Sequence, residues 1–187
     1  MRLYLLRHGL AAAREAWEAP DEERPLTEAG RAEMRDAARG IERLQLGIEA
    51  IYTSPLARAA QTAHIVAEAL GMPVTTRSEL APGFGVEQLK PLLAEQDGVR
   101  GLMLVGHEPD LSTLIGHLIA APQPARVALK KGACCRVDMP SKLAGVGGIR
   151  KLLGGGELRW LLTARQLAAL APPARSSPPS RTGRKAP

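Results

Sequence analysis

Short apolar runs alternate along the chain with amphipathic stretches. Residues 2–6 (RLYLL), 49–53 and 101–105 (GLMLV) are each too short for a helix and too apolar for a solvated loop, so they read as buried strands. A helix is expected from Thr27 and Glu28 to about Leu46, with Thr27 as N-cap, Glu28 in the first turn and Gly47 at its end. After Ser54-Pro55, Leu56, Ala59, Ala60, Ala63, Ala67 and Leu70 recur at helical spacing until Gly71 closes the stripe. Further helices are expected over 86–96, from Asp110 to Ala120 with Asp110 as cap, and over 164–170. Further strands are expected at 74–76, 126–130, 133–138 and 157–163. Residues 10–25, with Pro20 and Pro25, read as loop with some helix, and the glycines between 145 and 156 as a flexible excursion.

Strands alternating with helices imply an α/β three-layer sandwich: a mostly parallel central sheet with helices on both faces. The last strands lack intervening helices, which predicts one antiparallel edge. The expected folded domain is 1–171, followed by a basic Pro/Ser/Arg-rich disordered tail, 172–187.

Composition changes the picture in three places. Aromatic residues are only 3%, so the core must be aliphatic. Net charge is +6, but Arg175, Arg181, Arg184 and Lys185 in the tail carry four of those charges. The rest is nearly balanced, and nucleic acid is not an expected partner. Neighbours on a strand face opposite ways, so the adjacent Cys134 and Cys135 are poorly placed to bridge, and a reducing compartment fits. No apolar stretch is long enough for a membrane span or a signal peptide, and the expected location is the cytoplasm.

Three apolar strands run directly into polar chemistry: Arg7-His8-Gly9, Thr53-Ser54-Pro55 leading to Arg58, and Gly106-His107. Ligands of open α/β sheets bind at the carboxyl ends of strands. If these strands are parallel neighbours, Arg7, His8, Arg58 and His107 share one crevice. Two guanidinium forks and two imidazoles suit a phosphate dianion. Arg58 lies in a first helical turn, where backbone N–H groups also favour anions. Neighbouring arginines favour a neutral, nucleophilic imidazole. In-line phosphoryl transfer needs mainly positioning and charge stabilisation, which these groups supply without metal or cofactor.

The segments LLRHG (5–9), RPLTEAG (24–30), SPLARAAQTA (54–63) and LVGHEPDLS (104–112) resemble the histidine phosphatase superfamily, and their order and brevity resemble its SixA-type phosphohistidine phosphatases. The resemblance spans roughly residues 1–163. It implies that His8 accepts the phosphoryl group, that Arg7, Arg58 and His107 bind it and stabilise its transition state, and that Gly9 belongs to the substrate-binding set. Many members carry a carboxylate general acid where this chain has Pro82, as in the SixA-like pattern, with Glu79 the neighbouring carboxylate. The implied partner is a phosphohistidine protein. The alternatives are a phosphatase or mutase of small phosphate esters, or a dead phosphate-binding module. The oligomeric state stays open.

The remaining candidates read as structural. His64 and His117 lie at helix surfaces or boundaries. The four histidines lack metal-ligand spacing, so no metal site is expected. Trp17 either lines the pocket mouth or pins a loop to the core.

Overall fold

The computed structural model describes residues 1–95, 98–140 and 152–171. The predicted tail and most of the glycine-rich excursion lie outside the described residues.

Six strands form one sheet: β1 (Arg2–Arg7), β2 (Ala50–Thr53), β3 (Thr75–Thr76), β4 (Gly101–Gly106), β5 (Cys134–Asp138) and β6 (Glu157–Leu162). Their order is β3-β2-β4-β1-β5-β6. The first four are parallel, whereas β5 runs antiparallel to β1 and β6 antiparallel to β5. The sheet is thus mostly parallel with an antiparallel edge, as the helix-free C-terminal strands predict.

Strand alternation sorts the core into two layers. Leu3, Leu5, Leu102, Leu104, Cys135 and Val137 face one side, under α3 (Val86–Ala94) and α4 (Asp110–Ile119). Tyr4, Leu6, Met103, Val105 and Cys134 face the other, under α1 (Glu28–Arg43), α2 (Ala57–Leu70) and α5 (Ala164–Ala169). The two cysteines are buried and free on opposite faces, as their adjacency implies. Gly40 of α1 lets α5 approach until an added Cβ would lie 1.8 Å from the Leu167 carbonyl oxygen. No helix among the described residues is long and apolar enough to cross a membrane.

Cap chemistry behaves as expected at two helix ends. Thr27 accepts from the N–H of Gly30 at 2.9 Å, and Gly71 takes the left-handed conformation, φ 64°, that ends α2. Elsewhere tertiary contacts override the pattern. α1 stops at Arg43, short of the expected Leu46, because Gln45 turns left-handed at φ 46°; beyond it the Leu46 carbonyl accepts from Arg2 and from the hydroxyl of Tyr4, and Gly47, with φ 62°, turns the chain into β2. Residues 126–130 are not a strand. Leu129 is buried as a single anchor, and its carbonyl accepts from Arg7 instead of a sheet partner. The end of the glycine-rich stretch is pinned, not free: the N–H groups of Gly154 and Gly156 donate to His117 and Leu118, satisfying carbonyls at the end of α4.

Candidate active site

The strand order places β2, β4 and β1 side by side, so their carboxyl ends meet. The N–H of His8 donates to Gly106 (3.1 Å) and that of Ser54 to Val105 (3.0 Å), which stitches the three exits together. His8, Arg58 and His107 are buried there, and the two imidazole centroids are 5.3 Å apart. Arg58 sits in the first turn of α2, directly after the β2 exit.

His8 is held in one orientation. Its Nδ1 lies 2.8 Å from the carbonyl oxygen of Gly9. A carbonyl only accepts, so Nδ1 carries the proton and Nε2 keeps its lone pair. No described residue pairs with Nε2. Burial pushes the His8 pKa down to about 4, with Arg58, Arg7 and Arg24 adding to the fall and the Gly9 bond opposing it. The ring is neutral at physiological pH and has a free nitrogen lone pair, the form a nucleophile needs.

Gly9, expected among the substrate-binding positions, stands behind His8. Its N–H donates to Thr62 Oγ1 (3.0 Å), whose hydroxyl donates to the Arg58 carbonyl (2.7 Å), so both backbone groups of Gly9 are engaged. A Cβ there would lie 2.7 Å from Met34 Cγ. Only glycine lets the loop lie this close to α1.

Both arginines are anchored through their terminal nitrogens. Arg7 Nη1 donates to the Leu129 carbonyl (2.8 Å). Arg58 Nη1 donates to the Asp21 carbonyl (2.8 Å) and Nη2 to Asp21 Oδ2 (3.0 Å). The Nε atoms of both, and Nδ1 of His107, are buried without any partner. An unmade hydrogen bond at a buried donor costs about 1–3 kcal/mol, so three in one cluster point to a ligand rich in acceptor oxygens. Burial lowers both guanidinium pKa values, opposed at Arg7 by Glu108 and at Arg58 by Asp21. Both remain cationic.

Asp21 is the residue sequence reasoning missed. It opens a 3-10 turn, Asp21–Glu23, in the 10–25 loop. Its Oδ1 accepts from Arg24 Nε (2.7 Å) and also pairs with Arg14. Burial alone would raise its pKa, but bonds from Arg24 and Arg14 and the charge of Arg58 hold it well below the usual carboxylate range. Trp17 does not join either core cluster: its indole N–H donates to the Pro20 carbonyl (3.0 Å), bracing the same loop. Arg24 lies inside the quoted RPLTEAG segment, and Gln61 and Thr62 are the polar breaks in the alanine-rich α2. Those were the available signals. Gln61 Oε1 accepts from the Leu26 N–H (2.8 Å), tying loop to helix.

Several flanking expectations change. His107 Nε2 lies 2.7 Å from Ser54 Oγ. Asp110 is not the cap of α4. The N-cap is Pro109 without a side-chain bond, Glu108 accepts from the N–H of Ser112, and Asp110 reaches across to the N–H of Gly83 (2.7 Å). That contact fastens the Pro82-Gly83 loop beside the exit of β4. Glu79 is paired with Arg77 at 2.9 Å. His64 is exposed, its Nδ1 against the Ala60 carbonyl, apart from the cluster. Among the described residues, no group of three or more His, Cys, Asp or Glu is arranged to hold a metal ion.

The arrangement is a neutral imidazole facing a cationic, hydrogen-bond-donating pocket. The profile of the histidine phosphatase superfamily (branch 1) matches residues 3–88. An uncharacterized protein of Picosynechococcus is 38% identical over 146 residues, covering 71% of this chain and 87% of that protein. Among solved structures, the protein histidine phosphatase SixA complexed with tungstate superposes with a TM-score of 0.73 at 26% identity, covering 89% of this chain and 99% of that one. A SixA protein of Agrobacterium tumefaciens gives 0.65 at 26% identity, covering 87% and 97%. The mycobacterial glucosyl-3-phosphoglycerate phosphatase gives 0.63 at 19% identity, covering 84% and 96%, a likeness of fold alone.

Proposed function

The chain belongs to the histidine phosphatase superfamily, and on that footing we propose that this phosphatase takes the phosphoryl group of its substrate onto Nε2 of His8, and that the substrate is a phosphohistidine on a protein. The observation that carries the reading is the set of buried, unpartnered donors, Arg7 Nε, Arg58 Nε and His107 Nδ1, beside the open lone pair of His8 Nε2.

In the first step Nε2 of His8 forms a bond to phosphorus while the bond to the leaving group breaks. The leaving group departs with the bonding pair and takes its proton from water or from a protonated ring. In the second, water attacks the phosphohistidine. Its oxygen bonds to phosphorus, its proton is released, and His8 leaves with the N–P pair as inorganic phosphate forms. The bound guanidiniums and the His107 N–H offset the charge that grows on the equatorial oxygens. This neutralisation assigns no step to a metal.

The choice of phosphohistidine rests on the carboxylates. An alkoxide needs a positioned acid to leave, whereas an imidazole ring protonates readily. Asp21 is held ionised by three arginines, Glu79 is engaged by Arg77, and Glu108 accepts from the Ser112 N–H in the first turn of α4. Pro82 stands where the family's acid is expected. The likeness to SixA supports the same choice.

The test is a turnover panel with and without a chelator: a phosphohistidine phosphotransfer protein, phosphoserine and phosphotyrosine peptides, and a phosphoglycerate. The phosphohistidine protein should have the highest kcat/KM, unchanged by chelation, and acid-labile, alkali-stable label should appear on wild-type enzyme and not on His8→Ala. Faster turnover of the phosphoglycerate would replace this substrate with a small phosphate ester. Label on another residue would overturn the nucleophile.

A further inference from the structure

Ser54 is fully buried at the end of β2, a place where a hydroxyl needs a reason. Its Oγ makes two contacts. It accepts from the N–H of Leu56 (3.3 Å), and it lies 2.7 Å from Nε2 of His107. No other described group pairs with it. The opposite ring nitrogen, Nδ1 of His107, is buried with no partner.

A neutral imidazole has one N–H and one lone pair, and two arrangements of the proton are open. If Nε2 carries it, that N–H donates to Ser54. The serine hydroxyl hydrogen is then left buried without an acceptor, and Nδ1 turns a lone pair toward the anion site. If Nδ1 carries it, the serine hydroxyl donates to Nε2 while accepting from Leu56, so every Ser54 group is satisfied. The one unmet donor is then Nδ1–H, where a phosphoryl oxygen can accept it. The first arrangement places an unsatisfied buried hydroxyl and a repelled lone pair in the same small volume, so the second wins.

We infer that Ser54 is a positioning residue: its buried hydroxyl fixes His107 in the Nδ1–H tautomer, so that a neutral ring donates to the transferring phosphoryl group. This deepens the phosphoryl-pocket reading above and rests on it. Burial lowers the His107 pKa to about 3, with His8 and Arg58 adding to the fall, so the ring cannot meet the anion simply by becoming cationic. It must present the correct neutral form, and a second partner behind the ring is a general way to select it.

The tautomer is read directly in wild-type protein labelled with 15N at histidine, by long-range 1H–15N correlation at His107, assigned by its loss in His107→Asn. A protonated Nδ1 supports the inference; a protonated Nε2 overturns it. Kinetics on para-nitrophenyl phosphate give the second arm. By analogy with the outer-shell partners of metal-bound histidines, Ser54→Ala should lower kcat by about 10–100-fold, with KM changed by less than about twofold. His107→Asn retains a donor near the Nδ1 position and has no tautomer to choose. Adding Ser54→Ala to it should therefore cause no further loss in kcat. Equal losses in both backgrounds, or a fully active Ser54→Ala enzyme, would overturn the role of Ser54. If His107→Ala and Arg58→Ala were themselves fully active, the phosphoryl pocket would fail instead, so the two failures are distinguishable.

Discussion

The two site histidines should make stability depend steeply on pH between 5 and 6. Inside the fold His8 and His107 have pKa values pushed down to about 4 and about 3, mainly by burial. In the unfolded chain both return to about 6.5. Between pH 5 and 6 the unfolded chain therefore binds nearly one proton at each position, and the native state binds almost none. Stability rises with pH by about 1.4 kcal/mol per pH unit for each proton bound only by the unfolded state. Partial titration reduces this to about 1 kcal/mol per histidine, or about 2 kcal/mol for the pair, across this one unit. The loss begins as pH falls through about 6.5 and levels off below the folded values. Asp21, whose pKa is lowered, contributes stability that is lost only below the ordinary carboxylate range, outside this window. Urea unfolding followed by far-UV circular dichroism at pH 5.0, 5.5 and 6.0, in phosphate-free buffer, measures the slope. His8→Asn and His107→Asn should each remove about half of it. A wild-type change under about 0.5 kcal/mol, or a slope untouched by both variants, would mean that these rings are not neutral and buried as described.

Two further outcomes test the packing around the site. Asp21→Ala leaves Arg58 and Arg24 without their shared carboxylate. Breaking a fully buried pair costs about 3–5 kcal/mol, but Asp21 is partly exposed, so a loss of about 1–3 kcal/mol at pH 7 is expected by urea unfolding; no loss would make the latch ornamental. Gly40→Ala drives a methyl group into the Leu167 carbonyl and should cost about 1–3 kcal/mol by overpacking. An unchanged melting temperature would mean that α1 and α5 are not in such close contact.

The strands, the order of chemistry along them and the split of Cys134 from Cys135 were legible in the sequence, because a strand's period and its apolar length are local properties. His8, Arg7, Arg58 and His107 could be grouped for the same reason: each follows an apolar run that can only be a buried strand, and parallel strands bring their carboxyl ends to one edge. What lies around those four was decided by tertiary structure. Leu129 looks like a strand residue until Arg7 takes its carbonyl. Asp110 looks like a cap until Gly83 supplies it with a distant donor, and α1 stops short of Leu46 where Gln45 turns left-handed and the Leu46 carbonyl goes to Arg2 and Tyr4. Asp21, in a loop with no periodicity, becomes the counter-ion of Arg58 across 37 residues of chain, and Ser54 meets His107 across 53. A sequence pattern reports which face of an element is buried. It does not report which polar group across the fold satisfies a given carbonyl, carboxylate or ring nitrogen. Those pairings depend on side-chain reach and on competition among donors that only the folded arrangement brings together.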